Sequence, residues 1–330
     1  MLDHLEKSPA FSALGQKIQA PSCSLLVQKS SAAFSSLVAA FLQKKTQKNL
    51  RFVSSSLKEE ELFEDLAFFH SGEILEFPAL EGPLSLGPSS DSLGKRYETI
   101  SQIKSLPTPK IVLTPLNALM QKLPDLEFFE KQAIALSPQA HLPFNSLESR
   151  LASLGFKRVA AVADKGEFAL RGGILDIFTP SLSAPLRIEF EEDRIVQIRL
   201  FDPSSQKSIQ KIEKARIFPN LEKNASSENR CSLIDFLPGD TWVAFDDLYA
   251  LEENFLTYQK NSPRNQGGFF SLAELARKLK TKPKIFFSRH RLEELSEVKI
   301  QTKTPFFETV AFEAFGLKLG QRGGSIRFSP

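Results

Sequence analysis

The sequence predicts a mixed α/β protein, a parallel-sheet unit joined to a small, mostly antiparallel one, and three observations carry that reading. Across the first 125 residues, short apolar runs alternate with helical patterns, which argues for β-α-β units. Between Gly166 and Phe201 the apolar spacing falls to two, the period of a strand with one buried and one wet face. Beyond about residue 230, strand and helix patterns alternate again.

In chain order, strands are expected at Ser24–Val27, Leu50–Ser54, Ile74–Phe77 and Lys110–Thr114. Between the first two, Phe34, Leu37, Val38, Phe41 and Leu42 recur at spacings of three and four, one apolar helix face. A second helix from about Lys58 opens on Glu59, Glu60 and Glu61, which suit the positive end of the helix dipole. It carries Leu62, Phe63, Leu66 and Phe69 and stops at His70-Ser71-Gly72. Later, Trp242–Phe245 reads as an apolar strand, and Asp247 as the cap of a helix from Leu248 to Tyr258. Ser271-Leu-Ala-Glu274 is a capping box opening a helix to Lys280, and Lys284–Phe287 resumes a strand.

In a nucleotide-binding version of this fold, a phosphate loop follows the first strand. No glycine stands between Gly15 and Gly72, so Gln28-Lys-Ser-Ser31 cannot wrap successive backbone amides round a phosphate. Lys29-Ser30 is the only echo of that motif, and Ser30 or Ser31 reads as a helix cap. Without that loop the acids after Phe245 have no nucleotide to serve. No catalytic residue, cofactor or metal is therefore expected.

Composition narrows the function classes. Lys plus Arg number 42 against 39 Asp plus Glu, a net charge of +3, too balanced to imply a nucleic-acid footprint. The basic clusters Lys44-Lys45 with Lys48 and Arg51, and Lys207, Lys211, Lys214 and Arg216, read as solvated faces, with weak non-specific DNA contact at most. Phe supplies 29 aromatics against 3 Tyr and 1 Trp, which suits a core better than base-stacking platforms. Cys23 and Cys231 stand far apart, and the four histidines are scattered, so spacing supports neither a disulfide framework, a zinc site nor a nucleophile triad. The amino terminus lacks a signal pattern, and Leu37–Leu42 is too short to span a bilayer, so the expected location is cytoplasmic.

The antiparallel region is the most informative. Leu186, Ile188 and Phe190 alternate with Arg187, Glu189 and Glu191. After the turn Glu192-Asp193-Arg194, Val196, Ile198 and Leu200 alternate with Gln197 and Arg199, completing a hairpin. Upstream, Phe168–Arg171 and Ile174–Phe178 flank Gly172-Gly173, which marks a bulge, bend or close backbone approach. Asp176 lies inside an apolar run and needs a partner such as Arg171 or a backbone amide. Ser208–Phe218 supplies one more strand, closed by Pro219.

The run Gly166–Phe178, then Leu186-Arg-Ile-Glu-Phe190, then Phe201-Asp-Pro203, resembles the UvrB-type interaction domain shared by UvrB and the bacterial transcription-repair coupling factors. The resemblance implies that the module binds UvrA, with Arg171 and Arg187 meeting acidic partner groups and Phe190 as an aromatic beside them. Guanidinium forks suit bidentate carboxylate recognition. The family usually carries a second aromatic where this chain has Glu191, the fourth residue of the expected contact set. Gly172, Gly173 and Asp176 are expected to be structural.

The flanks Phe52-Val-Ser-Ser-Ser56, Asp65–His70, Ile74–Pro83, Arg96, Ile111–Pro115, Leu233–Pro238 and Trp242–Asp247 are similar to the first domain of transcription-repair coupling factors. That family architecture implies a degenerate helicase-like (RecA-like) domain over 1–136 and 220–315, an interaction domain over 137–219, and an irregular tail over 316–330. UvrB itself fits less well, because no phosphate loop is found. The expectation is a non-catalytic UvrA-recruiting module of nucleotide excision repair, truncated before the translocase and the RNA-polymerase-binding domains through which polymerase contact would come. The rival is an ATP-dependent DNA helicase or translocase component with a diverged phosphate loop.

Overall fold

The computed structural model describes residues 2–19, 23–28, 30–55, 59–80, 89–105, 108–124, 131–220, 230–261, 269–289 and 325–326. The chain divides into two units, one of Met1–Ala79, Ile103–Lys122 and Ser232–Pro330, the other of Leu80–Gln102 and Leu123–Cys231. Among the described residues no helix is long and apolar enough to cross a membrane.

The first unit holds a seven-stranded sheet in the order Ser325–Ile326, Ser24–Gln28, Lys284–Ser288, Trp242–Phe245, Leu50–Ser54, Ile111–Pro115, Ile74–Glu76. Every neighbouring pair is parallel. Strands of a parallel sheet are covered on both faces and read as continuous apolar runs. Accordingly Leu50–Ser54, Ile111–Pro115, Trp242–Phe245 and Lys284–Ser288 are buried at every position.

The helix Ala32–Thr46 buries Val38, Phe41 and Leu42 in the core formed by Leu25, Val27, Phe52 and Phe287, with Phe34 and Leu37 at its edge. Ser31 caps it, its hydroxyl accepting the Phe34 N–H. Ser271 and Glu274 close the expected capping box on Leu272–Leu279. Past the end of that helix the buried Lys284 ammonium donates to the carbonyls of Leu279, Lys280 and Lys282 at 2.8, 3.3 and 3.1 Å, and burial pulls its pKa down.

One expected surface cluster loses a member. Arg51 lies on an inner strand covered on both faces, so it is buried, with its guanidinium donating to the Leu233 carbonyl at 2.7 Å. Lys45 and Lys48 pair with Glu6 and Asp240 at 3.1 and 3.5 Å. Arg51 thus leaves the cluster, while Lys44, Lys45 and Lys48 stay at the surface.

The second unit carries β1 Ile134–Leu136, β2 Lys157–Arg158, β3 Glu167–Arg171, β4 Ile174–Ile177, β5 Leu186–Glu191, β6 Arg194–Phe201, β7 Ser208–Lys211 and β8 Ala215–Ile217. A six-stranded sheet runs β7-β6-β5-β4-β3-β2, antiparallel except for β2 with β3. The expected single strand Ser208–Phe218 is two strands, since β8 leaves this sheet to pair with β1. Gly172 and Gly173 form the two-residue loop between β3 and β4, at φ 50° and 84°, the left-handed geometry such loops demand.

One face of this sheet packs Phe168, Leu175, Ile177, Leu186, Ile188, Ile195 and Ile198 against Leu147 and Leu151 of the helix Leu147–Ser153. Val196, expected on that apolar face, is 46% exposed instead. The β5–β6 register shifts between Glu189 and Phe190, opposing Phe190 to Ile195. Val196 is the extra residue of a bulge, and Ile195 takes the buried place. The helix Ser90–Ser105 lies close to Pro180 at Gly94, where a Cβ would stand 1.8 Å from the Pro180 carbonyl oxygen.

Candidate docking face

The opposite face of the six-stranded sheet is set by register. Asp176 on β4 stands between Ala169 on β3 and Arg187 on β5, and the row continues through Arg199 on β6 to Lys211 on β7. The next row holds Arg171, Ile174, Glu189 and Gln197. A charged face over an apolar one is what period-two alternation produces.

Asp176 is the centre of this face and is only 1% exposed. Its Oδ1 accepts from Arg187 Nε at 2.7 Å, and its Oδ2 accepts from Arg187 at 2.9 Å and from Arg171 at 3.0 Å. The intramolecular partner that the sequence points to is thus present, and a second arginine joins it. Arg187 also donates to the Gln206 side chain at 2.9 Å and lies 4.4 Å over the Phe201 ring. The bond to Asp176 raises the Arg187 pKa, opposed by burial. Beside this group Arg199 pairs with Glu189.

The two expected contact arginines differ in availability. Arg187 is 18% exposed and fully engaged, whereas Arg171 is 57% exposed and makes one bond to Asp176. Asp176 therefore holds both guanidinium groups in place, and Arg171 presents the more open one. Phe190 is not brought beside them. Strand alternation turns it to the core face, where it packs on the apolar cluster and meets Phe144 edge to face at 5.1 Å. The ring under Arg187 is that of Phe201, which clusters with Ala169 and Phe178, and Glu191 is exposed at the end of β5.

Gln206, Arg199 and Glu189 are members of this face that the sequence did not single out. Arg199 and Glu189 were legible as neighbours once the hairpin was paired. Gln206 was not, because it arrives through a turn. Asp202 accepts the Ser205 N–H at 2.6 Å and its backbone accepts that of Gln206 at 2.8 Å, which places Gln206 at φ 60°. Hydrogen bonds from the Ser205 N–H and hydroxyl hold the Asp202 carboxyl below its usual range. The Phe201-Asp-Pro203 motif thus supplies both the ring under Arg187 and the turn that delivers Gln206.

The sheet is thus sealed on one side by apolar packing and set on the other with arginines locked by a buried carboxylate. Residues 134–222 match the UvrB interaction domain family, and this part of the chain is such a domain. The chain is similar to transcription-repair-coupling factors: 30% identical to that of Escherichia coli (strain K12) over 42% of this chain and 12% of the relative. The Rickettsia bellii protein is 32% identical over 56% of this chain and 17% of its own length, and the Staphylococcus aureus (strain bovine RF122 / ET3-1) protein 30% identical over 56% and 16%. The chain thus spans under a fifth of these relatives.

Proposed function

We propose that the chain recruits UvrA to transcription-coupled nucleotide excision repair, as a docking protein without ATP turnover of its own. The observation that carries this reading is the arginine face of the UvrB interaction domain, preset by Asp176. Arg171 and Arg199 meet acidic groups of UvrA there, Arg187 holds the face in shape through Asp176, and Glu191 extends the contact at the end of β5. The parallel unit is a degenerate helicase-like domain. The setting is the cytoplasm, and no residue of this chain is assigned to RNA polymerase.

Calorimetry against UvrA from the same organism tests the reading. A Kd on the order of 1 μM or tighter is expected, weakened about 30-fold or more by Arg171→Glu, since a central arginine anchor carries about 2 kcal/mol. Full retention of binding by a folded Arg171→Glu/Arg199→Glu protein rejects it.

The ATP-dependent rival draws on the parallel sheet, with Asp246 and Asp247 directly after the strand Trp242–Phe245. DNA-stimulated ATP turnover abolished by Lys29→Ala decides for the rival; Lys29 lies outside the described residues.

A further inference from the structure

The first unit converges three strand ends on one point that the docking function leaves unused. In the sheet order, Ser24–Gln28, Lys284–Ser288 and Trp242–Phe245 are neighbours, all parallel. Their carboxyl ends lead into Ser30, Arg289 and Asp246, the edge at which open parallel α/β sheets receive ligands. A nucleotide with its divalent cation is what a helicase-like unit would hold there.

The residues present do not fit that ligand. The Ser30 amide donates to the Ser288 carbonyl at 3.0 Å, and the Ser31 hydroxyl caps the following helix. Asp246 is buried, and both its oxygens accept from one terminal nitrogen of Arg289, at 2.9 and 3.0 Å. The other terminal nitrogen donates to the Ser30 carbonyl and the Ser35 hydroxyl, each at 3.0 Å, and Nε stands 3.6 Å from an Asp247 oxygen. All three guanidinium nitrogens are turned inward on two carboxylates, a carbonyl and a hydroxyl, the donor set a hard cation would take. Burial raises the Asp246 pKa, with Arg289 acting against it, so the carboxylate depends on a counter-charge. Asp247 sits at φ 40°, a strained conformation for a non-glycine residue, and its Oδ1 is buried without a hydrogen bond.

We propose that Arg289 is a resident cation, filling from within the chain the place of the metal ion, so that the ligand edge of this sheet is closed. The unit then keeps the architecture of a nucleotide-binding sheet while its stability is independent of any nucleotide. This inference does not rest on UvrA recognition, and its test leaves that reading untouched.

Thermal melting of the full chain tests it, with wild type, Arg289→Ala and Asp246→Asn/Arg289→Ala. The wild-type midpoint should not move with millimolar Mg·ATP or Mn²⁺. Arg289→Ala should melt roughly 5–10 °C lower, as loss of one partner of a buried pair implies. Millimolar Mn²⁺ or methylguanidinium should restore at least half of that loss by reoccupying the vacated place. The double variant should melt above Arg289→Ala and respond to neither. Stabilisation of the wild type by Mg·ATP overturns the proposal, as does an Arg289→Ala protein that melts like wild type or ignores both cations. Should Arg289→Ala fail to fold, folding of the double variant supports the proposal and its failure rejects it.

Discussion

Replacing Arg187 by alanine is the sharpest test of how the docking face is built. The change deletes two bonds to Asp176, one each to the Gln206 side chain and carbonyl, and the stacking on Phe201. Asp176, 1% exposed, is left with the single 3.0 Å bond from Arg171. Stripping one partner from a buried ion pair costs about 3–5 kcal/mol. The surviving Arg171 bond and the 18% exposure of Arg187 put the expected loss at the low end, about 3 kcal/mol. Arg171→Ala should cost only about 0–1 kcal/mol, because water replaces a side chain that is 57% exposed. Urea unfolding followed by circular dichroism measures both, and an Asp176→Ala/Arg187→Ala protein should lose less than the two single changes added together. An Arg187→Ala loss under about 1 kcal/mol, or one equal to that of Arg171→Ala, would refute the view that Asp176 organises this face. For the same reason Arg171, not Arg187, is the clean probe of partner binding.

Three further outcomes are expected. Gly94→Ala should destabilise the second unit by about 2 kcal/mol or more, read by urea unfolding, because the new methyl meets the backbone oxygen of Pro180 rather than a side chain able to swing away. Gly173→Ala should cost about 1–2 kcal/mol, since φ is 84° and the Phe190 carbonyl is 3.2 Å from the added carbon; an unchanged melting point would contradict the turn geometry. Ser271→Ala should lose about 1 kcal/mol of cap stability. The Ser271 hydroxyl and backbone bonds depress the Glu274 pKa, so their stabilisation is present above the ordinary carboxylate range and lost as pH falls through and below it. Unfolding between pH 3 and 7 should therefore show a shallower acid limb in that variant, which keeps the backbone bond to Glu274 but loses the hydroxyl one.

Local signals in the sequence determined much of this protein. The apolar runs of the parallel strands, the Ser31 cap, the Ser271/Glu274 box and the Gly172-Gly173 loop each depend on a few adjacent residues, so each was legible without a partner strand. The need of Asp176 for a cation was legible too, because a carboxylate inside an apolar run has few other ways to be buried. Tertiary structure decided the rest. Val196 turned outward because a bulge depends on how β5 and β6 pair, and Phe190 left the arginines because strand alternation put it on the core face. Arg51 became a core residue because its strand lies inside the sheet, while Gln206 and Arg289 reached their carboxylate networks through a turn and a strand end that no spacing links to Arg187 or Asp246. Periodicity says which residues share a face; which charges meet across 43 residues of chain, as Asp246 and Arg289 do, is fixed only when the sheet order brings the strand ends together.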